Sequence, residues 1–213
     1  MDKSSWHRGV TMTRYGMAID LRICISCNSC TVACKAAHAT QPGVLWCKVL
    51  EQETGHYPKV SRLFVPVLCN HCTDAPCVRV CPTGASSTRD DGIVLIDYEK
   101  CIGCKACIAA CPYDARTFVE TQKYYFPDTP IPYGVDELKG AVGVVQKCTL
   151  CVQRLDGGEQ PACAEVCPTG CRTFGDIHDE GGELGQLMKR ERCVRLLENK
   201  GTNPNVYYVL LKG

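Results

Sequence analysis

Residues 101 to 112 read C-I-G-C-K-A-C-I-A-A-C-P, placing thiols at Cys101, Cys104, Cys107 and Cys111 ahead of Pro112. Spacings of two, two and three residues before a proline suit a 4Fe-4S cubane, with the fourth thiol serving a neighbouring cubane. Three thiolates this close together reach one cluster only if the backbone curls round it, which turns the fourth away on the next turn. Proline stops that turn, because it has no N-H and its own backbone angle is fixed. Structural zinc is the rival reading, but zinc usually takes two C-x2-C pairs separated by a longer loop.

Working outward, the pattern occurs three more times. Upstream stand Cys69, Cys72, Cys77 and Cys81 before Pro82, with four residues rather than two ahead of the third thiol. Between the two runs, Ala85 to Arg89 and Ile93 to Ile96 flank Asp90-Asp91-Gly92, a hairpin signal. Residues 69–112 therefore read as run, hairpin, run, a complete two-cluster ferredoxin. Further out lie Cys24, Cys27, Cys30 and Cys34, where Lys35 replaces the proline and lets the helical turn continue. The last run is Cys148, Cys151, Cys163 and Cys167 before Pro168, with eleven residues ahead of the third thiol.

If each run lends its last cysteine to its partner, sixteen thiols complete four sites. Runs two and three already form one module, so runs one and four pair across it. The expected ligand sets are Cys24, Cys27, Cys30 and Cys167; Cys148, Cys151, Cys163 and Cys34; Cys69, Cys72, Cys77 and Cys111; and Cys101, Cys104, Cys107 and Cys81. Sequential pairing, one with two and three with four, is the alternative. No run has a ligand replaced, so four 4Fe-4S clusters and no 3Fe-4S site are expected.

Composition agrees with metal ligation. The 213 residues include nineteen cysteines, an odd number, sixteen of them gathered in four local groups where disulfide partners would be dispersed. A formal charge of +1 argues against a nucleic-acid-binding surface. Four clusters, each net -2 with its thiolates, would take that +1 to about -7. No apolar run approaches the roughly 18 residues needed to span a bilayer, and no signal peptide or twin-arginine leader is evident. The expectation is a soluble chain that reaches a membrane or the periplasm only through a partner.

The fold class expected is α+β: two ferredoxin-like modules, one nested inside the other, with short hairpins and short helices. Residues 1–13 form an N-terminal extension. Residues 14–68 with 146–182 form the outer module, opened by a strand within 14–23, closed by one at 172–177, and carrying a hairpin insertion at 44–68 about Glu53-Thr54-Gly55. Residues 69–112 form the inner module, and the proline- and aromatic-rich 113–145 an insertion read as a docking loop. A helix over 183–197 and a strand over 206–211 complete residues 183–213. Cys47, Cys171 and Cys193 are expected as structural thiols, with Cys47 behaving as a small apolar residue. His38 is expected in solvent or at a helix end, and His71 near a cluster sulfur or in solvent. Lys147 and Arg154 face either solvent or a charged neighbour. No nucleophile, general base or phosphate loop stands out, so no catalytic residue is assigned.

The motifs C-N-H-C-T-D-A-P-C-V-R-V-C-P-T-G-A, C-I-G-C-K-A-C-I-A-A-C-P-Y and K-C-T-L-C-x2-R, in this order, resemble the iron-sulfur subunits of the dimethyl sulfoxide reductase family. Similar subunits serve polysulfide, thiosulfate, tetrathionate, nitrite and arsenate respiration. The resemblance runs from about Tyr15 onward. It implies an electron-transfer subunit that links a molybdenum or tungsten bis-pterin catalytic subunit to a membrane quinone-reactive subunit or soluble donor. It also implies co-export to the periplasmic side of the cytoplasmic membrane, with a cytoplasmic location as the alternative. Formate dehydrogenase subunits of this type often add a C-terminal membrane helix, and the end at Gly213 counts against that branch. A polyferredoxin-like subunit of a cytoplasmic hydrogenase or formate dehydrogenase complex is the second reading.

Overall fold

In the computed structural model, which describes residues 12–121 and 142–210, strand β1 (Tyr15–Asp20) is the spine of the chain. Its Met17, Ala18 and Ile19 have no exposed surface. Successive side chains of a strand point to opposite faces, and both faces here are covered. Met17 and Ile19 join the cysteine-rich core, while Ala18 packs beneath helix α6 (Glu183–Arg190) with Leu184 and Leu187. On one side β8 (Arg172–Asp176) runs antiparallel to β1, with Tyr15 opposite Asp176 and Ile19 opposite Arg172. On the other, β10 (Val206–Val209) runs parallel, with Met17 opposite Val206, and β9 (Cys193–Val194) closes the edge.

Helix α6 ends at Arg190, short of the expected Leu197, because Cys193 and Val194 pair instead with Val209 and Tyr208 of the sheet. The long hairpin also differs from expectation. Its arms are β2 (Cys47–His56) and β3 (Lys59–Leu68), and its tip is Tyr57-Pro58, not Glu53-Thr54-Gly55. Pro58 has no N-H to give a ladder, so the tip is where it fits; Gly55 stays inside the ladder opposite Val60. The Tyr208 hydroxyl donates to the Pro66 carbonyl at 3.0 Å, tying the hairpin to the sheet.

Two smaller ribbons complete the strands. Strands β4 (Ser86–Thr88) and β5 (Val94–Ile96) form the hairpin between the middle cysteine runs. Strands β6 (Thr117–Val119) and β7 (Val144–Gln146) pair antiparallel at the base of the insertion. The rest of that insertion, 122–141, and residues 1–11 of the N-terminal extension lie outside the described residues. Helices α2 (Pro76–Arg79), α3 (Ala106–Ala109) and α5 (Ala162–Glu165) each have four residues and stop at a Cys-Pro pair. Helix α1 (Ser29–His38), with Lys35 in place of proline, runs ten, and α4 (Val152–Asp156) opens the long loop of the fourth run.

Gly16 is fixed by close packing at the start of the central strand. A β-carbon there would stand 2.5 Å from the Ile177 side chain and 2.7 Å from the Asn205 carbonyl oxygen. Gly16→Ala is therefore expected to destabilise the chain by about 1–3 kcal/mol, the usual range for overpacking. Thermal melts should show a lower midpoint for Gly16→Ala than for Gly175→Ala, whose nearest neighbour would be Leu184 Cβ at 3.2 Å.

Candidate metal centres

The four cysteine runs share one backbone device. The residue just before the second cysteine is left-handed in each: Ser26 at φ 55, His71 at 43, Gly103 at 67 and Leu150 at 56. Only one of these is glycine, so the others carry a strain of order 1–3 kcal/mol that the surrounding fold must hold. In the fourth run this turn aims the Leu150 amide at Cys148 Sγ, to which it donates at 3.3 Å. A second left-handed position follows the proline in three runs, at Gly84, Asp114 and Gly170. There the chain folds back on its last cysteine, with Gly170 N-H donating to Cys167 O at 3.1 Å.

These turns gather thiols from distant parts of the chain. One cavity is lined by Cys24, Cys27 and Cys30 together with Cys167, and by the additional Cys171. A second is lined by Cys69, Cys72, Cys77 and Cys111, and a third by Cys81, Cys101, Cys104 and Cys107. The remaining four meet in the interior. Burial first, then the charges of Cys148, Cys163 and Cys151, pushes the Cys34 thiol well above its usual range. Burial likewise drives Cys72 up to about 12 and Cys151 to about 11. Loading with metal would thus have to displace protons that burial holds on these thiols.

A 4Fe-4S group fits this donor set better than zinc. A single zinc ion draws its sulfurs to about 2.3 Å from one point, and among the described residues no three His, Cys, Asp or Glu side chains converge in that way. Three of the thiol sets instead line cavities, as ligands at separate corners of a cubane must. A roomier cavity of about 430 Å³, lined by His38, Trp46, Arg89 and Tyr98 among others, has no cysteine in its wall.

Three long cationic side chains lie inside the chain, and for Lys147 the charged neighbour rather than solvent is the outcome. Lys147 is buried, and its ammonium donates to the carbonyls of Val94 and Cys148. Arg116 is buried and donates to Cys77 Sγ at 2.9 Å and to Ser86 Oγ at 2.8 Å. Arg172 is buried too, its Nη2 lying 3.2 Å from Cys47 Sγ and 3.5 Å from Cys30 Sγ, its Nη1 3.9 Å from Cys163 Sγ. An uncompensated buried charge costs several kcal/mol, so the adjoining thiolates are what make these positions tenable. Burial lowers the Lys147 pKa, and Cys69 and Cys148 oppose that fall. For Arg116 and Arg172 burial pulls the same way, but the thiolates win and both guanidiniums are held above their usual range.

Neither His38 nor His71 is in solvent, and His38 takes the helix-end place expected as its alternative. His38 lies buried at the end of α1 against Trp46, its Nε2 3.2 Å from Cys151 Sγ, and burial lowers its pKa to about 4. Lys35, standing where the other runs have proline, lets α1 extend far enough to deliver it. His71 Nδ1 accepts the Val94 amide at 3.1 Å, leaving the Nε2 proton buried without a protein acceptor. Cys47 is more than an apolar filler: its thiol hydrogen-bonds Cys30, and together with Arg172 this holds the Cys30 thiol below its usual range. Cys171 Sγ lies 3.5 Å from Cys167 Sγ. Arg154, by contrast, is at the surface, paired with Glu159 and Glu165.

A further support was not visible in the sequence. Residues 202–205 wrap the widened loop of the second run. Thr73 and Asp74 N-H groups donate to Asn203 and Thr202 carbonyls at 2.9 and 3.1 Å, and Asn205 Nδ2 donates to the His71 carbonyl at 2.7 Å. The only signal was the polar T-N-P-N preceding the last strand.

A family model described as a 4Fe-4S dicluster domain matches residues 60–126 and 128–177. A selenate reductase subunit of Mesobacillus selenatarsenatis is 41% identical over 207 residues, covering 91% of this chain and 70% of the relative. The arsenate respiratory reductase iron-sulfur subunit of Shewanella sp. strain ANA-3 is 35% identical over 224 residues, 92% of this chain and 96% of its own. A tetrathionate reductase subunit of Salmonella typhimurium is 39% identical over 209 residues, covering 95% and 75% respectively.

The grouping of Cys111 with Cys69, Cys72 and Cys77 makes a test in which neighbours in sequence should behave differently. Cys111→Ser is expected to alter the electron paramagnetic resonance signal of the cluster at Cys69 while leaving that at Cys101 comparatively intact. The opposite pattern would contradict exchange of ligands between runs.

Proposed function

Because this chain belongs to the 4Fe-4S dicluster-domain family of iron-sulfur subunits, we propose that it is the electron-transfer subunit of a respiratory oxidoreductase complex. Four 4Fe-4S clusters are assigned to it. Cys24, Cys27, Cys30 and Cys167 hold the first; Cys148, Cys151, Cys163 and Cys34 the second; Cys69, Cys72, Cys77 and Cys111 the third; and Cys101, Cys104, Cys107 and Cys81 the fourth. Bound there, each supplies a one-electron couple between 2+ and 1+.

The observation that carries this reading is the succession of the thiol sets. Cys163 of the second set feels the charge of Cys30 of the first, and Cys148 feels that of Cys69 of the third. Arg116 in turn feels Cys77 and Cys69 of the third and Cys107 of the fourth. Neighbouring sets thus adjoin in the order first, second, third and fourth, which we read as one line. Nesting of a 69–112 module inside an outer one is supported by hairpin β4–β5 between the middle runs and by the pairing of β1 with β8 outside them.

The ends of the line reach the surface while its middle is covered. Cys27 and Cys104 are exposed, whereas Cys34, Cys148, Cys151 and Cys163 are buried. Ile25 and Val32 stand 59% and 65% exposed beside the first set, and Ile102 67% exposed beside the fourth. These exposed apolar side chains and the exposed ligands are the docking points we assign to the two ends. One partner is a molybdopterin-containing catalytic subunit; the other is a membrane quinone-reactive subunit or a soluble donor. No helix among the described residues is long and apolar enough to cross a membrane, so attachment to the cytoplasmic membrane would come through partners. The periplasmic side, by co-export, is the location proposed.

Anaerobically purified chain should contain about sixteen irons and sixteen acid-labile sulfides, four of each per cubane. A zinc-loaded, colourless preparation, or fewer than about twelve irons, would contradict the assignment. Isolation of the native complex should yield a pterin-bearing catalytic chain with it.

A further inference from the structure

The three buried cations are placed regularly. Arg172 meets Cys30 of the first set and Cys163 of the second at 3.5 and 3.9 Å. Lys147 donates to the Cys148 carbonyl of the second set and to the Val94 carbonyl, and Val94 lines the cavity of the third. Arg116 donates to Cys77 of the third set at 2.9 Å and to Ser86. Ser86 lines the cavity of the fourth. One cation therefore stands at each junction.

The placement repeats in the sequence. Arg116 follows the last cysteine of run three by five residues, in C-P-Y-D-A-R, and Arg172 follows that of run four by five, in C-P-T-G-C-R. Each lies within one pair of runs, and Lys147 lies between the pairs. A long charged side chain is seldom so fully buried, and here three are, each at a junction between thiol sets.

We infer that Arg172, Lys147 and Arg116 are positioning residues for electron transfer, each raising the potentials of the two clusters it separates. The inference rests on the four-cluster reading above. Reduction adds one negative charge to a cluster, and a fixed cation in a low-dielectric interior favours that state. The same cation weakens repulsion between reduced neighbours, so one electron less obstructs the next. None of the three is required as a ligand, so removing the charge need not remove the iron.

The test is a redox titration of the purified full chain, read by electron paramagnetic resonance beside an iron count. Lys147→Met should keep its iron and move the second and third clusters to more negative potential, leaving the first and fourth in place. Lys147→Arg should restore both. Arg116→Gln should move the third and fourth instead, and Arg172→Gln the first and second, so the reading survives one misfolded variant. Full iron with unmoved potentials would overturn the inference alone, as would all four clusters moving together. A wild-type chain with too little iron for four cubanes would overturn the four-cluster reading itself.

Discussion

A cubane has four corners to be bound, and a tight C-x2-C-x2-C turn offers three thiolates before the backbone must leave. That shortfall is the constraint on which this architecture depends. The fourth ligand has to come from another part of the chain, and the structure brings Cys167 to Cys24, Cys81 to Cys101 and Cys111 to Cys69. The Cys-Pro stops of the three four-residue helices stand where the departing thiol leaves its own run. The central sheet serves the same need: pairing Ile19 with Arg172 brings the first and last runs together across the intervening residues.

The interior that results is unusual for its charge. Thiols raised by burial, three buried cations and two buried histidines lie among two apolar clusters, one around Met17, Ile19 and Tyr208 and one around Val94 and Val145. Such groups are costly alone and tolerable together, because each hydrogen bond or counter-charge offsets another group's lost water. The peripheral ion pairs, such as Arg62 with Glu51 at 2.8 Å, are exposed and add little by comparison. Stability in the middle of the chain is thereby tied to the sulfur sites, and the outer half of the long hairpin is free of that dependence.

Much of this was legible because thiol spacing is a short-range signal. The clustered thiols, the D-D-G hairpin, the strands at 15–20 and 172–176 and the lengthened first helix after Lys35 could all be read from local sequence. What escaped was set by tertiary surroundings. Serine, histidine and leucine give no sign of left-handed geometry, so the turns at Ser26, His71 and Leu150 could not be read from their residue types. Nothing in the sequence marks Arg116 or Arg172 as buried, and solvent and a charged neighbour stood level for Lys147 until the fold showed what surrounds it. The hairpin tip was misplaced because E-T-G imitates a turn, and only the full register shows that Tyr57-Pro58 reverses the chain. Helix α6 was drawn too long because its amphipathic pattern does not reveal that β10 offers an edge to Cys193 and Val194.

The central claim is that distant cysteines jointly hold a line of iron-sulfur centres. Anomalous diffraction at the iron absorption edge, from crystals grown without oxygen, tests it most directly. The account requires four compact iron peaks in one row, each touching the sulfur of a cysteine from a different run as well as three from its own. Peaks bound wholly within single runs, or single-atom peaks with the absorption edge of zinc, would contradict it.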